Sequence, residues 1–371
     1  MILTLLFVVI IAAGGMFYFK FGSDILKEKE TIAITETTEE TQAPPMETVR
    51  ETEPEAKTAA ETETETETET EPPVQYKPEI NLCFAGDVLL DPGYAIMASL
   101  LQRGGDLTTC FDEELLNIMR DSDVFMINNE FPYSDRGAPL PEKQFTFRAK
   151  PEYAQLLNDI GVDIVTLANN HVNDYGQDAM LDTFDALDAA GIPYVGAGRN
   201  IDEAASPYYM EIEGVRIAYV AATQIERSGN PDTVGAGENS PGVMRCMNPE
   251  RFLESIRQAK ENADIVIAVV HWGTENETEP DWMQLEQAPM LVEAGADVVI
   301  GAHPHVLQRV EEIDGVPVFY SLGNYLFNSK TLDTGIASIR IDTNTKKVVK
   351  YELISALQQG CRTIFKGDTS W

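Results

Sequence analysis

The chain has 371 residues, enough for one large α/β domain with extensions. Its formal net charge of −34 and the lack of any basic stripe argue against nucleic acid as a partner. The four cysteines, Cys83, Cys110, Cys246 and Cys361, form no C-x-x-C pair, which argues against a thiolate metal site.

Residues 1–19 carry no charged side chain and are about long enough to span a bilayer. We expect an uncleaved membrane anchor over residues 1–22, with the remainder outside the cell. The alternative is a signal peptide cut near Ala13-Gly14-Gly15, but the usual basic segment before the apolar run is missing. Lys20, Lys27 and Lys29 lie on the wrong side of the run for export and are diluted by Asp24, Glu28 and Glu30. Residues 23–77 are rich in Glu and Thr, with strict alternation from Glu61 to Glu71. Having almost nothing apolar to bury, such a run stays solvated and self-repelling, so it reads as a disordered acidic stalk. Pro72, Pro73 and Pro78 lead into a folded domain expected over residues 78–371.

Within that domain, residues 80–87 read as a strand closing on Gly86-Asp87, with Cys83 as core packing inside it. A disulfide among the other cysteines is open outside the cell. Phe111, Leu115, Ile118 and Met119 predict a helix near 108–120. Residues 123–130 are the next strand, ending in Asn129 and Glu130. Three joints then share one design, a helix closed by glycine followed shortly by a strand: Gly161 before Ile164, Gly191 before Tyr194 and Gly295 before Val298. Amphipathic helices are expected over 178–190, 249–262 and 281–294, further strands from Arg216 and from Val316, and a hairpin around Asn344. Strands alternating with covering helices predict a mixed α/β layered domain with one antiparallel portion.

All four histidines of the chain follow apolar runs: His171, His271, His303 and His305. A single such histidine is more often structural than functional; four together point to one shared centre. If residues 303–305 are extended, His303 and His305 point to the same face, and Pro304, lacking an N–H, sets them just past a strand end. Asp87, Asn129, Glu130, Asn169, Asn170 and Asn324 also stand where strands stop. Taken singly, Asn169 and Asn170 could be turn residues and Asp87 a helix cap. Carboxylates, carboxamides and imidazoles without thiolates suit divalent Mn, Zn, Fe or Mg, and this many donors are what two ions sharing a carboxylate need.

The segments Phe84-Ala-Gly-Asp87, Asn129-Glu130, Leu167 to Gly176, His271-Trp-Gly273, Gly301-Ala-His-Pro-His305 and Ser321-Leu-Gly-Asn324 together resemble the CapA-type poly-γ-glutamate capsule proteins of the metallophosphatase-like superfamily. That resemblance implies a two-layer β-sandwich flanked by helices. It further implies a tethered role outside the cell in making, exporting or trimming poly-γ-glutamate or another anionic envelope polymer, beside membrane synthase subunits. It makes Asp87, Glu130, Asn170, His271, His303 and His305 metal ligands, with Glu130 bridging two divalent ions. His171, with Asn170, becomes the catalytic pair, His171 acting as proton donor or charge stabiliser. One departure stands out: where the superfamily carries Asp-x-His, this chain has Asp87-Val-Leu89. Asn129, Asn169, Asn324 and Arg148 are candidate substrate contacts, Arg148 as a carboxylate clamp or else a surface ion-pair residue. Two functional classes follow: a metal-dependent hydrolase of an amide or phosphoester bond, and a non-catalytic metal- or polymer-binding component of the capsule machinery.

Overall fold

A computed structural model of the chain describes residues 75–226 and 233–368. The apolar run expected as an anchor, and the acidic stretch up to residue 74, lie outside the described residues. Among those described, no helix is long and apolar enough to cross a membrane.

The chain runs through β1 (Glu79–Val88), α1 (Ala95–Gln102), α2 (Glu113–Asp121), β2 (Val124–Asn129), α3 (Leu156–Asp159), β3 (Ile164–Thr166), α4 (Gln177–Ala190) and β4 (Tyr194–Val195). Next come β5 (Ala197–Gly198), α5 (Ile201–Ala205), β6 (Tyr208–Ile212), β7 (Val215–Thr223), β8 (Gly242–Val243), α6 (Glu250–Asn262), β9 (Ile265–His271), α7 (Trp282–Ala294) and β10 (Val298–Ala302). The last part is all strand: β11 (Val310–Ile313), β12 (Val316–Phe319), β13 (Asn324–Leu326), β14 (Leu332–Asp342), β15 (Lys347–Gln359) and β16 (Arg362–Asp368).

The helix expected over 108–120 is interrupted. A 3-10 turn at Leu107–Cys110 comes first, and α2 restarts after it. Two aspartates cause the break, each capping its own segment: Asp106 accepts from Thr108 N and Asp112 from Leu115 N, both at 3.0 Å. The glycine-closed joints behave as the spacing predicts, with Gly191 and Gly295 at φ 72° and 113° in the left-handed conformation that ends a helix.

Two sheets pack face to face. In the first, the order is β16-β15-β14-β1-β2-β3-β4, and β13 joins β1 where β14 leaves off. Strands β1 to β4 are parallel, whereas β14, β15 and β16 form the antiparallel portion, with the hairpin turn at 343–346. The second sheet has the order β11-β12-β10-β9-β7-β6, four parallel strands edged by two antiparallel ones. The period of two along each strand divides its side chains between two cores. From β1, Ile80, Leu82 and Phe84 meet Ile217, Tyr219, Ile267 and Ile300 of the other sheet. Cys83 and Ala85 face the opposite way, towards Leu115 and Met119 of α2 and Phe184 and Leu187 of α4. A third core lies outside the second sheet, where Phe252 and Ile256 of α6 and Leu291 of α7 cover Val220, Ala268 and Val299. Each of these large side chains contributes about 1.5–3 kcal/mol on burial. The result is a helix–sheet–sheet–helix sandwich whose parallel strands end along one edge.

At that edge Gly86 has no room for a side chain, since a Cβ would stand 1.9 Å from the Gly323 carbonyl oxygen. The close approach lets Asp87 N donate to that same oxygen at 3.0 Å. Gly86→Ala is expected to destabilise the domain by about 1–3 kcal/mol, the usual cost of overpacking, read as a lower urea midpoint at unchanged m.

Candidate metal centre

Open α/β sheets present ligand sites beyond the carboxyl ends of their parallel strands, and here both sheets contribute to one such site. Asp87 is the last residue but one of β1, Glu130 follows β2, Asn170 and His171 lie in the loop after β3, and His271 ends β9. His303 and His305 follow β10, and Asn324 opens β13, paired in register with Asp87. Asp87, Glu130 and His271 are buried almost completely.

His303 and His305 come together by a different route from the extended strand expected. Both have positive φ, 96° and 59°, so the chain after Ala302 is a tight turn and not a continued strand. Non-glycine residues hold such angles at a cost of about 1–3 kcal/mol each, and they concentrate at functional sites. The turn is secured from outside by Asn276 N, which donates to Pro304 O at 2.8 Å. Within it the two imidazole centroids stand 5.8 Å apart.

Glu130 is the centre of the cluster. Its Oε1 is buried, has no hydrogen-bond partner, and lies 3.6 Å from His271 Nε2 and 3.8 Å from both His171 Nε2 and His305 Nε2. His303 Nδ1 is 3.0 Å from His271 Nε2, which is also 2.8 Å from Asn170 Oδ1. On the other side Asp87 Oδ2 stands 3.1 Å from His305 Nδ1, not aligned for a hydrogen bond, while that nitrogen faces Asn324 Oδ1 at 2.9 Å. Ligands bound at about 2.0–2.2 Å to one divalent ion are themselves roughly 3.0–3.5 Å apart. The donors here form two groups that share Glu130, each with its ligand atoms within 4.8 Å of one another, so that a small inward movement reaches that spacing: Glu130, His271 and His303, and Asp87, Glu130 and His305. Their hard and borderline chemistry fits a divalent cation.

The electrostatics agree. Burial, reinforced by the neighbouring Asp87 carboxylate, pushes Glu130 well above its ordinary range. His271 and His303 are held well below theirs, first by burial and then by the imidazoles around them. Both rings are therefore neutral at pH 7, the form that binds metal. Burial alone would lower His305 too, but the Asp87 carboxylate beside it raises it overall. A buried carboxylate with no hydrogen bond on one oxygen, facing neutral imidazoles, is an arrangement that a cation completes.

His171 belongs to neither group of donors. Its Nδ1 is 2.7 Å from Asp174 Oδ2, which leaves Nε2 facing the centre. Burial lowers its pKa, and Asp174 opposes that only in part. Phe147 lies against the ring at 4.2 Å between centroids, and Phe327 lies against His305 at 4.7 Å.

Other candidate contacts are placed differently from what their sequence positions suggest. Asn129 turns its amide to Phe131 O at 2.8 Å, whereas Asn128, which shares the strand face of Glu130, points inward. Asn128 Nδ2 reaches Asp87 Oδ1 at 2.7 Å and His271 Nδ1 at 3.2 Å. The period-two pattern that pairs Asn128 with Glu130 was the available signal. Asn169 uses both ends of its carboxamide internally, accepting from His171 N and Val172 N and donating to Asn128 Oδ1 and Asn129 O. It shapes the loop and offers no free group. Arg148 lies outside the cluster, its guanidinium 4.2 Å over the Tyr175 ring, in a groove of about 280 Å³ shared with Asp91, Ser134 and Lys150. Leu89 is buried in the helix-side core. Lys143, Asp174 and the two phenylalanines had no spacing signal beyond Asp174 standing three positions after His171.

Residues 81–329 match the family model described as bacterial capsule synthesis protein PGA_cap. The chain is 32% identical over 270 residues to the PGA biosynthesis protein CapA of Bacillus subtilis (strain 168), covering 71% of this chain and 68% of that one. It is 33% identical over 236 residues to the capsule biosynthesis protein CapA of Bacillus anthracis, covering 61% and 56% respectively. Among solved structures it is similar to a novel phosphatase from Mycoplasma pneumoniae, at TM-score 0.46 and 15% identity over 77% of this chain and 95% of the other. The family match spans well over half of the residues and takes in Asp87, Glu130 and all four histidines, so the chain belongs to the bacterial capsule synthesis family PGA_cap.

Proposed function

We propose that the protein is a metal-dependent hydrolase in poly-γ-glutamate capsule biosynthesis, tethered to the membrane by residues 1–22 with its domain outside the cell. The observation that carries the hydrolase reading is the Glu130 carboxylate, buried, lacking a hydrogen bond on Oε1, and within 3.8 Å of three imidazole nitrogens. Support for the capsule context comes from the family and from relatives named for PGA and capsule biosynthesis. The apolar run 1–19 and the acidic stretch after it support the tether and stalk. Membrane synthase subunits are the partners this reading implies.

Glu130, His271 and His303, with Asn170, would hold one divalent ion, and Asp87, Glu130 and His305 the other. The ions, Mn, Zn, Fe or Mg, would supply Lewis acidity and ease the ionisation of a water. The protein's own part is then clear. Asp174 keeps the proton of His171 on Nδ1, so Nε2 presents a lone pair to the centre; it takes up a proton there and passes it to the leaving group. Arg148, in its own groove over Tyr175, would take a polymer carboxylate only away from the centre, and Asn324 orients His305. The bond cleaved is a γ-glutamyl amide or a phosphoester. Leu89 in place of a ligand histidine favours a second reading, a binding component that holds polymer carboxylates on the same ions without turnover.

Metal content of the full chain, followed by hydrolysis assays on poly-γ-glutamate and a generic phosphodiester, separates these. About two equivalents of metal and turnover lost in His303→Ala establish the hydrolase. Metal without turnover of either substrate moves the assignment to the binding component.

A further inference from the structure

After β2 the chain makes an excursion over residues 134–148 whose ends meet: Ser134 N donates to Ala149 O and Ala149 N to Pro132 O, each at 2.9 Å. Such a loop with joined ends is a compact surface unit packed by its own side chains. This one is closed down on the loop that carries Asn170 and His171. Leu140 N donates to Asp174 O at 2.8 Å, Phe147 N to Asp174 Oδ2 at 2.7 Å, and the Phe147 ring covers His171. Lys143 adds the one charged contact of the set. Its Nζ donates to Asp174 Oδ1 and to the Asn170 carbonyl oxygen, both at 2.5 Å, and its side chain is 4% exposed.

An ammonium buried to this degree is costly even when paired, and an apolar side chain of similar size would often be as stable or more so. Its position shows what the charge does there. Asp174 has two oxygens with divided tasks, Oδ2 taking His171 Nδ1 and Phe147 N while Oδ1 takes only Lys143. Without the ammonium, Oδ1 has no donor, and the carboxylate is free to rotate away from the imidazole. The Asn170 carbonyl loses its partner at the same time, and Asn170 carries one of the oxygens beside His271.

We propose that Lys143 is a positioning residue: through Asp174 it fixes the orientation and the Nδ1–H tautomer of His171, and through the Asn170 carbonyl it holds the ligand-bearing loop. The use of that tautomer rests on the hydrolase reading. The tautomer itself is measurable with no substrate, so the two can fail separately.

The chain has four histidines, so [15N]histidine labelling of the full-length protein gives a spectrum simple enough to assign by substitution. With and without zinc, wild type is expected to show His171 protonated on Nδ1 and bare on Nε2. In Lys143→Met, and in the milder Lys143→Gln, that single state is expected to be lost to a mixture and His271, which Asn170 Oδ1 touches, to shift with it, while His303 and His305 keep their wild-type signals. Lys143→Arg, which keeps a charged donor, is expected to restore it. An unchanged His171 in either neutral variant overturns the proposal, as does a wild-type His171 protonated on Nε2. A shift of all four histidines together also overturns it, because that is general loosening. Should the Met variant not fold, the Gln variant decides. Absence of turnover on every substrate leaves this result standing.

Discussion

Glu130→Gln is expected to abolish metal binding and yet make the metal-free protein more stable. Both donor groups contain Glu130, so its loss removes a ligand from each at once. In the metal-free protein the same carboxylate is a liability, fully buried and with no hydrogen bond on Oε1. Leaving a buried polar group unsatisfied costs about 1–3 kcal/mol, and a neutral amide of the same shape removes most of that. The pH dependence has a definite sign. Burial raises the Glu130 pKa above its ordinary value of 4.5, so the folded protein keeps a proton that the unfolded chain releases. Stability contributed by that proton is present below 4.5 and lost as pH rises through the folded pKa. His271 and His303 act oppositely, since their depressed pKa values contribute stability above about 6.5 that is lost on acidification. The difference between wild type and Glu130→Gln isolates the first effect. Thermal melts of chelator-treated protein should show a gain from the substitution that is larger at pH 8 than at pH 5. Added metal should reverse the order, stabilising wild type by about 2.7 kcal/mol at a hundredfold excess over Kd and leaving the variant unmoved. Equal melts for the two metal-free proteins at both pH values would exclude a charged, unsatisfied Glu130.

His171→Ala should separate chemistry from metal binding. His171 lies outside both donor groups, so metal content is expected to stay as in wild type. Removing a positioned proton-transfer group costs about 10²–10⁴-fold in rate, and that is the expected loss in kcat on whichever substrate wild type turns over. The acid limb of the wild-type rate profile should fall below the ordinary histidine value of 6.5, because burial lowers the His171 pKa. Asp174→Asn should give a smaller loss, since the ring remains but its tautomer is no longer fixed. Metal lost along with His171 would make it a ligand and dissolve the distinction.

The mixed α/β layering was legible because the central strands are short apolar runs and three helices end on glycine, both visible without any knowledge of neighbours, whereas the two-layer sandwich came from the family resemblance. Strand-end polar residues identified the edge where the site lies, and the histidines identified its centre. What stayed hidden was set by geometry between segments. His303 and His305 meet through a turn with positive φ, which the dipeptide around Pro304 does not disclose. Asn129 and Asn128 are adjacent and chemically identical, and only the face of β2 separates the inward one from the outward one. Lys143 is a lone lysine in an irregular segment, and its partner is 31 positions away. Arg148 sits one residue from Phe147, yet its guanidinium stacks on Tyr175 in a separate groove, because consecutive side chains diverge wherever the backbone is extended.

The register of β1 against β14 bears on how the protein comes into being. Ser338 Oγ donates to Asn81 at 2.8 Å across 257 positions, and Asp87 pairs with Asn324 only once the intervening chain has folded into two sheets. Contacts of such sequence separation form slowly, since loop closure must precede any gain from them. Asp87 meets β2 early, in register with Asn128, but its donor group is closed only by His305, so no nascent chain ending before His305 can assemble both donor groups. Any ion that both groups hold is therefore taken up late, after β10 and the turn that follows it have been made.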